Sequence, residues 1–133
     1  MSGLIRIVAA VIRDPQGRVL MVRKHGAAVL QQPGGKRDAE DRDDLHTLER
    51  ELREELGCVM HREGARWLGR FSAPAANETG FVVEAEVYEV HADGPFMAQA
   101  EIEEVRWVDP AALDGLAIAR LSREQILPVL VGE

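Results

Sequence analysis

Residues 33–59 read PGGKRDAEDRDDLHTLERELREELGCV, and both the fold and the chemistry of the 133-residue chain turn on this stretch. It opens on Pro33-Gly34-Gly35, crosses a polar loop, and becomes a helix whose last turns carry Glu51, Glu54 and Glu55. At about 100° per residue, those three side chains fall within an arc of roughly 100° on one side of the helix. Leu45, Leu48, Leu52 and Leu56 recur at helical spacing on the other side and face a core. Three glutamates alone are an ordinary solvated face. The surrounding order is not ordinary: Gly34-Gly35-Lys36, then Arg50-Glu51, then Glu54-Glu55 and Gly57. Two carboxylates about 4 Å apart repel by about 4 kcal/mol at an effective dielectric of about 20, so a cation belongs among them. Hard oxygen donors without histidine or cysteine suit Mg²⁺ or Mn²⁺, not zinc, and such an ion completes its shell with water and substrate phosphate.

At these residues the chain resembles the Nudix hydrolases. The box of that family reads Gly, five residues, Glu, seven residues, then Arg-Glu-U-x-Glu-Glu-x-Gly-U with U apolar. Arg50, Glu51, Leu52, Arg53, Glu54, Glu55, Leu56, Gly57 and Cys58 match its second half, with Cys58 as the small apolar residue. The first half departs, because Gly35 to Arg50 is one residue longer than the pattern, and either Glu40 or Asp41 stands for the first glutamate. The resemblance implies an α/β (α+β) sandwich in which a mixed sheet lies between helices, with the box as a loop, helix and loop at its edge. It also implies hydrolysis of a pyrophosphate bond. By position, Glu51, Glu54 and Glu55 are metal ligands, with a backbone carbonyl of Gly34 or Gly35 as a neighbour. Arg50, one turn before Glu54, orients the carboxylates. Lys36 meets phosphate or the acidic cluster, unless it is simply solvated. MutT-type members carry a fourth carboxylate six residues before a tryptophan on the final strand. Counting back from Trp107 gives Glu101 as metal ligand or general base, with Glu103 and Glu104 as alternatives.

The whole chain is consistent with one such domain over residues 1–133, a length that buries a core without disulfides. Apolar residues make up 46% and charged residues 29%, as in an ordinary soluble globular protein. Sixteen Lys plus Arg against 23 Asp plus Glu give a net charge of −7, which argues against binding a nucleic-acid backbone. An acidic protein can still process an anionic substrate if a divalent metal bridges the two. The single cysteine, Cys58, cannot form an internal disulfide and reads as a packed small residue. No signal-peptide pattern or long apolar run is seen, so a soluble cytoplasmic protein without membrane partners is expected, as monomer or homodimer. His25, His46, His61 and His91 show no ligand spacing.

In chain order, Leu4 to Ile12 reads as a strand buried on both faces. Asp14-Pro15-Gln16-Gly17 is a type I turn, and Val19 to Arg23 returns as the second strand of a hairpin. Val29 to Gln32 is a further short strand. The helix starts at Asp43 or Asp44, which can cap it, and ends at Gly57. Trp67 to Ala73 and Phe81 to Val90 are strands joined by a loop that carries Asn77 and Glu78. Trp107-Val108 is a short strand, Asp109-Pro110 a helix start, and Ser122 with Gln125 a capping box for a last helix that Pro128 shortens.

The resemblance points first to a (deoxy)nucleoside triphosphate cleaved to nucleoside monophosphate and pyrophosphate, because length and the Glu101-to-Trp107 spacing are similar to MutT-type members. Ser72-Ala73-Pro74 followed by Glu78 is similar to a feature of ADP-ribose pyrophosphatases, which makes ADP-ribose or a nucleotide sugar the alternative. MutT-type proteins read the base with an asparagine near the last helix, where this chain has Ser122 and Arg123; Asn77, which can both donate and accept, is the expected reader instead. A Nudix module that senses a nucleotide without cleaving it is the third reading. It would be expected to have lost metal ligands, and all three box glutamates are present.

Overall fold

Strand β1 (Gly3–Val11) has both of its edges occupied, and this decides the topology. The computed structural model describes residues 3–132. On one edge β1 runs parallel to β5 (Phe81–Asp93), in register from Gly3 opposite Phe81 to Val11 opposite Glu89. On the other it pairs antiparallel with the two-residue strand β3 (Gly34–Gly35). With β4 (Val59–Pro74) antiparallel to β5, the mixed sheet has the order β3-β1-β5-β4. The turn at Asp14 forms as expected, with the Gly17 N–H donating to the Asp14 carbonyl at 2.9 Å. The hairpin does not. Strand β2 (Val19–Lys24) finds no free edge on β1, touches it only around Ile12 and Arg13, and pairs instead with β6 (Ile102–Val108) in a separate two-stranded sheet.

Burial on both faces of β1 holds only for its second half. Val8, Ala10 and Ile12 face a core with Leu48, Leu52 and Leu56 of α1 (Asp44–Leu56). Ala9 and Val11 face a second core with Ala85 and Val87 of β5 and with Ile126, Leu127 and Leu130 near the C-terminus. Layers of helix, sheet and helix result. In the first half of β1, Leu4 is exposed while Ile5 and Ile7 are half-buried and form the wall of a cavity.

Helix α1 has the expected bounds. The Asp43 carboxylate accepts from the His46 N–H at 2.8 Å, satisfying one orphan donor of the first turn. Gly57 closes the helix in the left-handed region at φ 67°. Leu48, Leu52 and Leu56 are fully buried and Leu45 partly so, which fixes the rotation of the helix about its axis.

Other expectations need correction. Strand β4 begins only two residues after Gly57, well before Trp67, because its polar first half lies at the sheet edge and needs no apolar alternation. β6 likewise starts at Ile102, not Trp107. Val29 to Gln32 forms single bridges to Val22 and Ile118, not a strand. Asp109-Pro110 opens a turn, not a helix: Asp109 accepts the Ala111 N–H on its side chain and the Ala112 N–H on its carbonyl. Ser122 is no cap; it is buried inside a π-helical turn (Leu121–Ile126) that runs into the short helix α2 (Leu127–Val131). Pro128 has no N–H to offer a preceding carbonyl, which is consistent with the wider turn. Among the described residues no helix is long and apolar enough to cross a membrane.

Leu52→Ala should lower unfolding free energy by about 3 kcal/mol, as for a fully buried leucine in a packed core. Gly34→Ala should be worse tolerated, since Gly34 has φ 146° and an added Cβ would overlap the Val8 carbonyl and lie 2.9 Å from Ala9 Cα. Urea denaturation checks both; a loss below about 1 kcal/mol for Leu52→Ala would contradict the packing described.

Candidate functional site

Burial of the three leucines turns the glutamate face of α1 toward Gly34-Gly35. Glu55 is drawn furthest in, 2% exposed, and its Oε1 accepts the Gly34 N–H at 3.3 Å. Burial first, and then the charge of Glu51, push its pKa up to about 8. Glu51 lies directly over Gly35, where a Cβ would collide with its carboxylate. Its pKa is raised by burial, with Arg50 opposing and Glu54 and Glu101 adding to the shift. Glu54 is more exposed. The double glycine is therefore required by close approach to β1 and to Glu51. Gly34 presents its N–H to Glu55.

Arg50 is the hub beneath this face. It donates to Asp41 at 2.9 and 3.3 Å, to Glu51 at 3.2 Å and to the Lys36 carbonyl at 3.1 Å, and lies 3.8 Å from Glu54. Arg50 thus touches both the loop acid and the acids of the helix. Between the two candidates for the first box acid, the geometry separates Asp41 from Glu40. Asp41 is buried, accepts from Arg50, from the Thr47 hydroxyl at 2.8 Å and from the Asp38 N–H at 2.8 Å, whereas Glu40 is exposed. The Arg50 guanidinium holds the Asp41 carboxyl well below its usual range.

Of the three acids near β6, Glu101 faces the carboxylates of α1. Its charge acts on both Glu51 and Glu55, and its side chain lines the cavity. Glu103 pairs with Arg23 and His25, and Glu104 with Arg23 and Arg106, on strands β2 and β6 away from the cavity. Cys58 is buried and its thiol is pushed up to about 11, so it is held protonated and is no nucleophile.

The cavity holds about 310 Å³, the lower end of the size expected for a small-molecule site. Gly35, with Glu51 over it, pairs with Val8, and Lys36, Glu101 and Lys24 belong to that end of the lining; Asn77 and Glu78 belong to the β4–β5 loop, which enters β5 opposite Gly3 at the start of β1, and Ile5, Ile7, Val83 and Leu121 are apolar walls. Arg50 and Arg123 lie outside this wall, while Ser122 is part of it. Sequence reasoning passed over Lys24 and Gln32. Lys24 ends β2 with its Nζ 3.9 Å from Glu101, and only the pairing of β2 with β6 puts it there. Gln32 donates to the Ala10 carbonyl at 3.3 Å, and its buried Oε1 has no donor among the described residues. A glutamine before a turn carries no sequence signal for either property.

Among the described residues, no three histidine, cysteine or acidic side chains are gathered tightly enough, as they stand, to enclose an ion. The donor chemistry nonetheless fits a hard divalent cation: the carboxylates of Glu51, Glu54, Glu55 and Glu101 act on one another, and the buried Glu55 is destabilised as an anion by its neighbours.

Residues 3–130 match the family model described as NUDIX domain. No curated protein matches the chain. Among solved structures, the MutT protein from Methanosarcina mazei is similar with a TM-score of 0.77 and 21% identity, over 98% of this chain and 95% of that one. The ORF135 protein of E. coli has a TM-score of 0.76 and 21% identity, over 98% and 91%. A UDP-X diphosphatase has a TM-score of 0.75 and 22% identity over 96% of this chain, which spans 63% of that protein. At such identities these likenesses speak for the fold.

The Asp41 carboxylate faces Arg50 from α1 and the Asp38 N–H from its own loop, where Arg37 donates to the Asp41 carbonyl. Its folded pKa is depressed, so the stability it contributes is present above the unfolded value of about 3.9 and is lost as pH falls below it. Asp41→Asn should therefore melt below the wild type at pH 7, with the gap closing in acid, while Glu40→Gln melts like the wild type. Equal melting of all three proteins at pH 7 would remove Asp41 from its role beneath the helix.

Proposed function

The chain belongs to the Nudix hydrolase family, and from that premise we propose that it hydrolyses a pyrophosphate bond in a nucleoside diphosphate derivative, first a (deoxy)nucleoside triphosphate, releasing nucleoside monophosphate and pyrophosphate. The observation that carries this reading is the division of the cavity into an end with Glu51, Glu101 and two lysines and an end where the Asn77 amide and Glu78 stand beside apolar groups. Such a division suits a ligand with a phosphate chain at one end and a base at the other.

Glu51, Glu54 and Glu55 would hold Mg²⁺ or Mn²⁺ beside Glu101, and such an ion, when bound, supplies neutralisation of phosphate oxygens and a lower pKa for a water molecule. Arg50 keeps Glu51 and Glu54 oriented through its contacts at 3.2 and 3.8 Å. Lys24 and Lys36 offer ammonium groups to phosphate oxygens at the same end. Glu101 is placed to take a proton from the attacking water. Gly35, lacking a side chain, keeps the floor beside Glu51 open. Asn77 meets the base with an amide that donates and accepts. One domain over residues 1–133, a cytoplasmic location, and a monomer or homodimer belong to the same reading.

Pro74 and Glu78 also line the cavity, which keeps ADP-ribose or a nucleotide sugar as the second substrate class. The presence of all three box glutamates, one of them the buried Glu55, favours catalysis over nucleotide sensing.

Glu54→Gln and Glu55→Gln should each lower turnover by about three orders of magnitude, equivalent to about 4 kcal/mol of transition-state stabilisation. In EDTA their melting temperatures should equal or exceed that of the wild type, because Glu54→Gln removes one like charge from a repelling group and Glu55→Gln removes a buried acid that burial already disfavours as an anion. Mg²⁺ should stabilise the wild type by about 1.4 kcal/mol per tenfold excess over its dissociation constant, and Glu55→Gln less. Activity within a few fold of wild type in both variants would sink the metal assignment.

For the substrate, (d)NTPs, ADP-ribose and dinucleotides compared with Mg²⁺ at equal concentration should rank a triphosphate first in kcat/KM. ADP-ribose ahead of every triphosphate by about tenfold, a difference of about 1.4 kcal/mol, would reverse the ranking. Asn77→Ala should alter the preference among bases; an unchanged preference would remove Asn77 from base reading.

A further inference from the structure

The last four carbonyls of a helix have no partner within it. In α1 they are all satisfied, and mostly by one loop. The Gln99 side-chain amide donates to the Arg53 carbonyl at 2.8 Å and to the Glu54 carbonyl at 3.1 Å. The backbone N–H of Gln99 donates to the Glu55 carbonyl at 3.1 Å, and that of Met97 to the Leu56 carbonyl at 3.0 Å. The Arg53 carbonyl has a second donor, the Gly57 N–H of the helix cap at 3.0 Å. The turn that carries the acids is thus held from outside by the loop Gly94 to Glu101.

That loop then reverses within two residues. The Ile102 N–H donates to the Gln99 carbonyl at 3.0 Å, and Ala100 between them takes φ 53°, a conformation uncommon for a residue with a Cβ. The reversal sends Glu101 to the cavity while Gln99 stays on the helix end. The Glu101 carbonyl accepts the His25 N–H at 2.9 Å, which fixes the far side of the turn to the end of β2. A Cβ added at Gly57 would come within 3.0 Å of the Gln99 side-chain oxygen, so the amide lies closely over the helix terminus.

We infer that Gln99 is a positioning residue: its clasp on the Arg53, Glu54 and Glu55 carbonyls sets the distance between the α1 carboxylates and Glu101, so that all belong to one cation-binding group. This rests on the reading of Glu51, Glu54 and Glu55 as metal ligands. Gln99 itself touches neither substrate nor ion. Its amide is matched to the task because a single NH₂ reaches two adjacent carbonyls while its oxygen stays clear of them. No charge is added at the negative end of the helix dipole.

The test is Mn²⁺ affinity, read from the loss of the free-ion electron paramagnetic resonance signal, with the melting temperature in EDTA taken in parallel. Gln99→Leu keeps much of the side-chain volume and removes both amide bonds. It should weaken Mn²⁺ binding by about tenfold, as losing a group that orients metal ligands does. Glu101→Gln should weaken it as well, and the double variant no further than Glu101→Gln alone, because Gln99 acts through that carboxylate. Should Gln99→Leu fail to fold, Gln99→Asn, whose shorter arm cannot span both carbonyls, is read the same way. Mn²⁺ affinity within twofold of wild type, with or without a lower melting temperature, would make Gln99 merely structural and overturn the inference. So would additive losses in the double variant, or a Glu101→Gln protein that binds as the wild type does. A wild type that binds no Mn²⁺, or a Glu55→Gln protein that binds it equally well, would overturn instead the ligand reading on which the inference stands.

Discussion

A carboxylic acid that is 2% exposed and touches one backbone N–H is an expensive arrangement, and the rest of the molecule is organised around keeping it. Glu55 sits there because Leu48, Leu52 and Leu56 are fully buried and leave α1 no freedom to rotate. Burying three leucine side chains contributes on the order of 5 kcal/mol, more than one desolvated acid costs when it can stay protonated. The pKa pushed up to about 8 is the mark of that compromise. A cation supplied from outside would reverse it by making the anion the favoured form.

The same helix must bring several like charges together without opening the fold, and Arg50 makes that possible. One guanidinium spans Asp41, Glu51 and the Lys36 carbonyl, tying the long polar loop to the helix and offsetting part of the repulsion. A lysine could not replace it, since a point ammonium cannot reach three partners on loop and helix in one planar fork. The extra residue between Gly35 and Arg50 is absorbed in this loop, whose register is set by Asp41 binding Arg50, Thr47 and the Asp38 N–H.

The cavity arises where the layers stop. β3 is only two residues long and covers β1 no further than Val8, so the first half of β1 keeps its inner side chains beside open space. The β4–β5 loop and the buried turn at Leu121 and Ser122 close the remaining sides. Segments from widely separated parts of the sequence meet there.

The sequence by itself determined the helix, its two faces, its caps at Asp43 and Gly57, the acids it carries and the family to which such an order belongs, because these depend on residues within one or two turns of each other. It also determined the Asp14 turn and a strand that starts at Phe81. Only the tertiary structure decided which strand takes which edge. β2 returns from a well-formed turn yet joins β6, because β3 and β5 already fill both sides of β1. That choice brings Lys24 beside Glu101, separates Glu101 from Glu103 and Glu104, and gives Asp41 rather than Glu40 to Arg50. Hydrogen-bonding edges, buried volume and charge partners are shared among segments far apart in the chain. How they are allotted is a property of the packed whole that no local pattern encodes.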